Sequence, residues 1–81
     1  MKPIFLELRH LKTLLALKET GSVSLAAKRV YLTQSALSHQ IKLLEDQYGL
    51  PLFERKTQPL HFTPAGERLI QLANDILPKV I

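Results

Sequence analysis

Between Leu8 and Glu19 the apolar residues Leu8, Leu11 and Leu15 recur every three or four positions, which gathers them on one helical face with Leu14 at its flank. Gly21 follows Thr20, and a residue free of Cβ strain at positive φ is a common end to a helix. The Ser24 hydroxyl then predicts the cap of a second, shorter helix running from Leu25 to about Val30. In it Ala26 and Ala27 are small enough for another helix to approach closely, and Val30 lies one turn beyond Ala26 on the same side. A turn through Tyr31 and Leu32 leads to Thr33, whose hydroxyl can cap a third helix starting at Gln34 and ending near Gly49. Leu37, Ile41, Leu44 and Tyr48 follow the spacing i, i+4, i+7, i+11, which at about 100° per residue is a narrow arc and predicts the buried face.

Past Gly49 the pattern changes. From Leu52 to Phe62 a Thr-Gln-Pro interruption separates Phe53 from Phe62, which suits a short two-stranded hairpin, a wing, better than another helix. Thr63 followed by Pro64 predicts a helix start, because the hydroxyl caps the first amides and proline occupies a position whose N–H has no partner anyway. In the fourth helix Ala65, Leu69, Leu72, Ala73, Ile76 and Val80 form one stripe, which Ile70, Leu77 and Ile81 widen to about half the circumference. That is more apolar surface than a small core requires. Pro78 removes one backbone hydrogen bond, yet the apolar pattern continues to Ile81, so the reading expects a further domain beyond it. The predicted architecture is mainly α: a winged helix-turn-helix over residues 1–63, with a three-helix core and a β-hairpin wing, then a linker or dimerisation helix over 64–81.

Composition narrows the function. Eighty-one residues hold one domain with a small core, and 46% apolar with 22% charged residues is the balance of an ordinary folded protein. Eleven Lys and Arg against seven Asp and Glu give a formal charge of +4, which favours polyanionic partners. The absence of cysteine removes disulfides, thiolate metal sites and thiol nucleophiles. Charge interrupts every apolar run before the length of a membrane span, and no signal-peptide pattern opens the chain, so the expected location is cytoplasmic without membrane contact.

Opposite the buried arc of the third helix lie Ser35, Ser38, His39 and Lys42, within a sector of about 100°. Serine hydroxyls donate or accept at base edges, imidazole pairs with guanine acceptors, and lysine reaches guanine or phosphate. Gln34, in the first turn, suits either adenine or a phosphate beside the helix N-terminus. Polar residues also cover ordinary solvated faces. What favours DNA is the order of parts: a short small-residue helix, a tight turn, a capped longer helix and a basic hairpin, the plan in which the second helix enters the major groove. In that plan Ser24 and Arg29 sit near phosphates and Thr33 is counted with the DNA-binding residues, while Arg55 and Lys56 in the wing neutralise phosphates or enter a minor groove.

Ala26-Ala27, Thr33-Gln34-Ser35-Ala36-Leu37-Ser38, Ile41, Leu44-Glu45, Gly49, Leu52-Phe53, Arg55 and Thr63-Pro64-Ala65-Gly66 together resemble the N-terminal domain of LysR-type transcriptional regulators. The segments Ala36 to Gln40, Arg55 to Leu60, Phe62 to Pro64 and Gln71 to Asn74 are similar to the branch of that family that governs methionine biosynthesis. The resemblance implies operator contacts by Gln34, Ser35, Ser38, His39 and Lys42, a wing contact by Arg55, and pairing of two subunits through the fourth helix, with Leu69, Leu72, Ala73, Ile76, Leu77 and Val80 at the interface. It also implies RNA polymerase as a partner of the full-length protein. No cofactor is expected within these residues, and homocysteine is the implied effector of a further domain. His39 stands where many members carry Arg, so an arginine-to-guanine contact does not transfer. Gln58 stands where another basic residue is frequent, which implies a less electrostatic wing.

Other residues carry no chemistry of their own in this reading. His10, His39 and His61 are too scattered for a metal site, and Glu45 with Asp46 point about 100° apart, so they form no acid pair. Glu45 either orients a nearby basic side chain or caps a network at the wing. Tyr48, Phe53 and Phe62 are read as packing. No nucleophile and base stand together, so an enzyme is not expected. The rival to a DNA-binding homodimer is a winged helix that mediates protein contacts.

Overall fold

The computed structural model describes residues 7–54 and 60–80, the last three of these by backbone alone, in the order α1 (Leu8–Thr20), α2 (Val23–Arg29), α3 (Gln34–Tyr48), β1 (Phe53–Glu54), β2 (His61–Phe62) and α4 (Pro64–Val80). The helix ends follow from local chemistry. Gly21 and Gly49 adopt φ of 68° and 71° and donate their N–H groups to Leu17 and Glu45, closing α1 and α3. Between α2 and α3, Leu32 N–H reaches the Ala27 carbonyl at 2.8 Å and Tyr31 N–H reaches Lys28 at 3.2 Å, a Schellman closure with Tyr31 in the left-handed position at φ 59°. Ser22, not Ser24, caps α2: its Oγ accepts from Leu25 N at 3.3 Å. The helix therefore starts one residue before Ser24, which stands exposed in its first turn.

α1 is the central element, packed against α2 on one side and α4 on the other. That double cover corrects the predicted face. Leu11, Thr13, Leu14, Ala16 and Leu17 are buried, an arc of about 220° at helical spacing, with Leu14 and Leu17 wholly enclosed. Leu8 is 44% exposed and Leu15 half-buried, because both fall at the edge of that arc. Ala26 and Ala27 are buried, and their small side chains let α2 lie close to α1 and α3. Leu37, Ile41 and Leu44 are buried as predicted, with Tyr48 half-buried at the end of the row. The core is completed by Leu52, Phe53, Leu69 and Ile70.

The wing is an antiparallel pair with Phe53 opposite Phe62 and Glu54 opposite His61. The two phenyl rings lie 6.1 Å apart at 50°, a tilted aromatic contact. α4 stays helical through Pro78 to Val80.

Candidate nucleic-acid interface

α3 owes its placement to residues on its inner side. Leu37, Ile41 and Leu44 hold it to the core, and Thr33 Oγ1 accepts from Ala36 N at 3.1 Å to fix its start. Those constraints leave Gln34, Ser35, Ser38, His39 and Lys42 all exposed on the outer side. Among the described residues none of the five is tied to the chain by a side-chain hydrogen bond or ion pair. Ser24 and Arg29 are also exposed, Arg29 holding Glu19 at 2.6 Å through Nη1. Thr33 is exposed with its hydroxyl engaged in the cap. Arg55 and Lys56 lie outside the described residues; in sequence they stand between the two paired strands.

The base of the wing is held by contacts that the sequence did not single out as a set. Glu45 Oε2 accepts from Leu52 N at 2.8 Å, so this carboxylate fixes the entry to β1, the second of the two roles foreseen for it. Leu52 O in turn accepts from Thr63 N at 3.0 Å, and the Thr63 hydroxyl donates to Pro51 O at 2.6 Å while accepting from Gly66 N at 3.2 Å. One threonine thus caps α4 and clamps the Pro51–Leu52 segment that leads into β1. Gly66 is buried against that segment: a Cβ there would lie 2.0 Å from Leu52 O. On the other side, Leu60 N–H donates to Gly21 O at 3.3 Å, and Lys18 Nζ lies 5.4 Å from the centre of the Phe62 ring while pairing with Glu67 at 2.7 Å. α1, β2 and α4 meet at this lysine.

The six α4 residues predicted for pairing two subunits divide. Leu69, Ala73 and Leu77 are buried within their own chain, Ala73 and Leu77 against Leu11 of α1. Leu72 is 37% exposed and Ile76 is half-buried at the edge of the Leu11 cluster. The side chain of Val80 lies outside the described residues. Leu72 shares an open apolar hollow with Tyr48, Leu50 and Ala65, in which Leu50 is also exposed.

His10 stands at the start of α1, where its Nδ1 accepts from Glu7 N at 3.2 Å. Burial, the larger influence, pushes its pKa below the ordinary 6.5; Glu7 opposes this and Arg9 adds to it. A folded value below the unfolded one means that the neutral ring stabilises the fold above the unfolded value, and that this contribution is lost as pH falls through the folded one. The expected result is a melting temperature that drops between pH 7 and pH 5 by more in the unmodified protein than in His10→Gln. Equal drops would remove His10 from the account.

Residues 8–67 match the model of the family described as "Bacterial regulatory helix-turn-helix protein, lysR family". The chain is 84% identical over 81 residues, its whole length, to the HTH-type transcriptional regulator MetR of Haemophilus influenzae, covering 26% of that protein. It is 56% identical over 75 residues, 93% of its length, to MetR of Escherichia coli, covering 24%. It therefore spans about a quarter of the length of the curated relatives it matches. Its structure is similar to that of the BenM DNA-binding domain in complex with benA site 1 DNA, with a TM-score of 0.84 and 39% identity over 93% of this chain and 84% of that one.

Proposed function

From the premise that the chain belongs to the lysR family of bacterial regulatory helix-turn-helix proteins, we propose that it reads operator DNA as one half of a homodimer and so regulates transcription. The observation that carries this is the outer face of α3: five polar side chains that the fold leaves exposed, on a helix fixed rigidly from behind. Such a face suits hydrogen bonding to base edges in a major groove. The complex of the similar BenM domain with benA site 1 DNA supports the same use. Likeness to MetR along the whole chain supports methionine-biosynthesis genes as targets. Homocysteine is then the effector, bound by a domain beyond residue 81, and RNA polymerase is the machinery that the full-length protein recruits or blocks. Operator affinity of the full-length protein measured with and without homocysteine tests the effector; an unchanged affinity and footprint would remove it.

Selection of bound sites from random DNA, followed by titration over a range of salt, tests the main reading. An interrupted palindrome and a steep loss of affinity with salt are expected. A salt-independent association with protein partners would instead favour the winged helix as a protein-interaction module. Within the site, Ser38→Ala and His39→Ala should each relax base preference by about 1–3 kcal/mol per lost contact. Arg55→Ala should weaken binding to all sequences alike and reduce the salt slope by about one. A salt slope unchanged in Arg55→Ala would place that residue off the DNA.

A further inference from the structure

The wing is too short to fix its own direction. Its strands pair through Phe53 with Phe62 and Glu54 with His61, and a hairpin of that length does not hold its shape in water unaided. Arg55 and Lys56 follow β1 directly in sequence, so any swing at the base of the hairpin is carried to them.

The base is tied down on both sides. Ahead of β1, Leu52 N–H is fixed to Glu45 of α3. The β2 side meets the last turn of α1, through Leu60 N–H on Gly21 O at 3.3 Å and through Lys18, whose Nζ stands 5.4 Å from the centre of the Phe62 ring. Phe62 in turn touches Phe53 across the hairpin, so the cation bears on both strands.

The same Nζ donates to Glu67 Oε1 at 2.7 Å. Lys18 lies in the last turn of α1 and Glu67 in the first turn of α4, the ends at which helix dipoles favour a cation and an anion. Both side chains are about half exposed, and an ion pair so placed adds little to folding stability. Its geometric consequence is larger, because Lys18 joins three elements: it belongs to α1, its charge is held by α4, and it rests on the ring of β2.

We propose that Lys18 is a positioning residue for the wing: held by Glu67, it seats Phe62 and so sets the direction from which Arg55 meets a DNA phosphate. This rests on the reading of the domain as a DNA reader. Lys18 itself stays off the DNA, its ammonium being engaged between carboxylate and ring. Glu67 separates this role from plain electrostatics. Removing an anion from a DNA-binding domain strengthens its attraction to phosphate, whereas releasing Lys18 loosens the wing and weakens binding.

The test uses the full-length protein on the operator recovered by site selection, with affinity measured over a range of salt. Lys18→Met, an unbranched side chain without the charge, and Glu67→Gln should each weaken binding about five-fold to all sequences alike and lower the salt slope by about one. Lys18→Arg should restore both, because a guanidinium also pairs with carboxylate and stacks on an aromatic face. Adding Arg55→Ala to either weakened variant should cost nothing further, since the contact is already lost. Discrimination against base-substituted operators, read by α3, should not move. Amide exchange over residues 60–63 without DNA reads the joint directly: faster in Lys18→Met and Glu67→Gln, unchanged in Lys18→Arg.

The proposal fails if Lys18→Met and Glu67→Gln bind as the unmodified protein does. It fails if Glu67→Gln binds more tightly while Lys18→Met and Arg55→Ala add, since Lys18 would then be a phosphate contact in its own right. Loss of base discrimination in step with affinity would also overturn it, as the mark of a generally loosened fold. Absence of operator binding by the unmodified protein would overturn the DNA reading instead, and exchange over residues 60–63 would still decide whether Lys18 holds the wing.

Discussion

Gly66→Ala is expected to destabilise the domain, lowering the denaturant midpoint with little change in slope. Judged by helix propensity alone the substitution gains about 1 kcal/mol, since glycine inside a helix is the poorer residue. The tertiary contact reverses the sign. An alanine Cβ would lie 2.0 Å from the Leu52 carbonyl oxygen, and that oxygen is not free to retreat, because it accepts from Thr63 N while Leu52 N donates to Glu45. Overpacking of this kind costs about 1–3 kcal/mol, and a backbone atom as the obstacle places the site at the upper end. With about 4–8 °C of melting temperature per kcal/mol in a domain this small, the loss is readily measured. Operator affinity should fall with it, since the segment that must shift is the one leading into the wing. A stability equal to or above that of the unmodified protein would mean that the Leu52 segment is loosely held, contrary to its hydrogen bonds.

Leu72→Asp is expected to yield a folded monomer that binds a single half-site normally and the full operator about 10²–10⁴-fold more weakly. Among the described residues Leu72 is the apolar side chain of α4 that its own chain leaves most open, so a charge there does not disturb the core. It would disturb an interface between two copies, where an unpaired buried carboxylate is strongly unfavourable. Two linked half-sites bind with an effective concentration that a monomer forfeits, which sets the expected loss. Ile76 is a poorer probe because it also packs against the Leu11 cluster of its own chain. Sedimentation combined with circular dichroism checks the prediction: a dimer of unchanged operator affinity would place the pairing surface elsewhere, with the hollow around Leu50 the next surface to test.

Much of the candidate site was legible because it is made of local signals. Thr33 before Gln34, Gly49 after Tyr48, and Thr63 before Pro64 mark helix ends through bonds to backbone only a few residues away, and the structure places them as read. The row Leu37, Ile41, Leu44 identifies the inner face of α3 and so, by subtraction, its outer one. Where two hydroxyls stand within three residues, the sequence reading took Ser24, and the structure makes Ser22 the cap of α2 instead. The turn through Tyr31 was read, but not its left-handed φ, because nothing in its sequence surroundings announces a left-handed tyrosine. Only the Schellman closure around it does.

The α4 stripe marks the boundary between the two kinds of knowledge. Periodicity alone determined that Leu69, Leu72, Ala73, Ile76 and Leu77 share the apolar side of a helix, since that is a property of 3.6 residues per turn. It could not apportion that side between α1 of the same chain and anything else, because an amphipathic arc carries no record of what covers it. Packing against Leu11 and its neighbours took Leu69, Ala73 and Leu77 for the core and left Leu72 outside. In the same way, the sequence by itself made α1 amphipathic and placed a glycine at 66. Only the tertiary structure, by setting helices on two sides of α1 and the Leu52 carbonyl against Gly66, decided that Leu14 is central, Leu8 is exposed, and no side chain fits at 66.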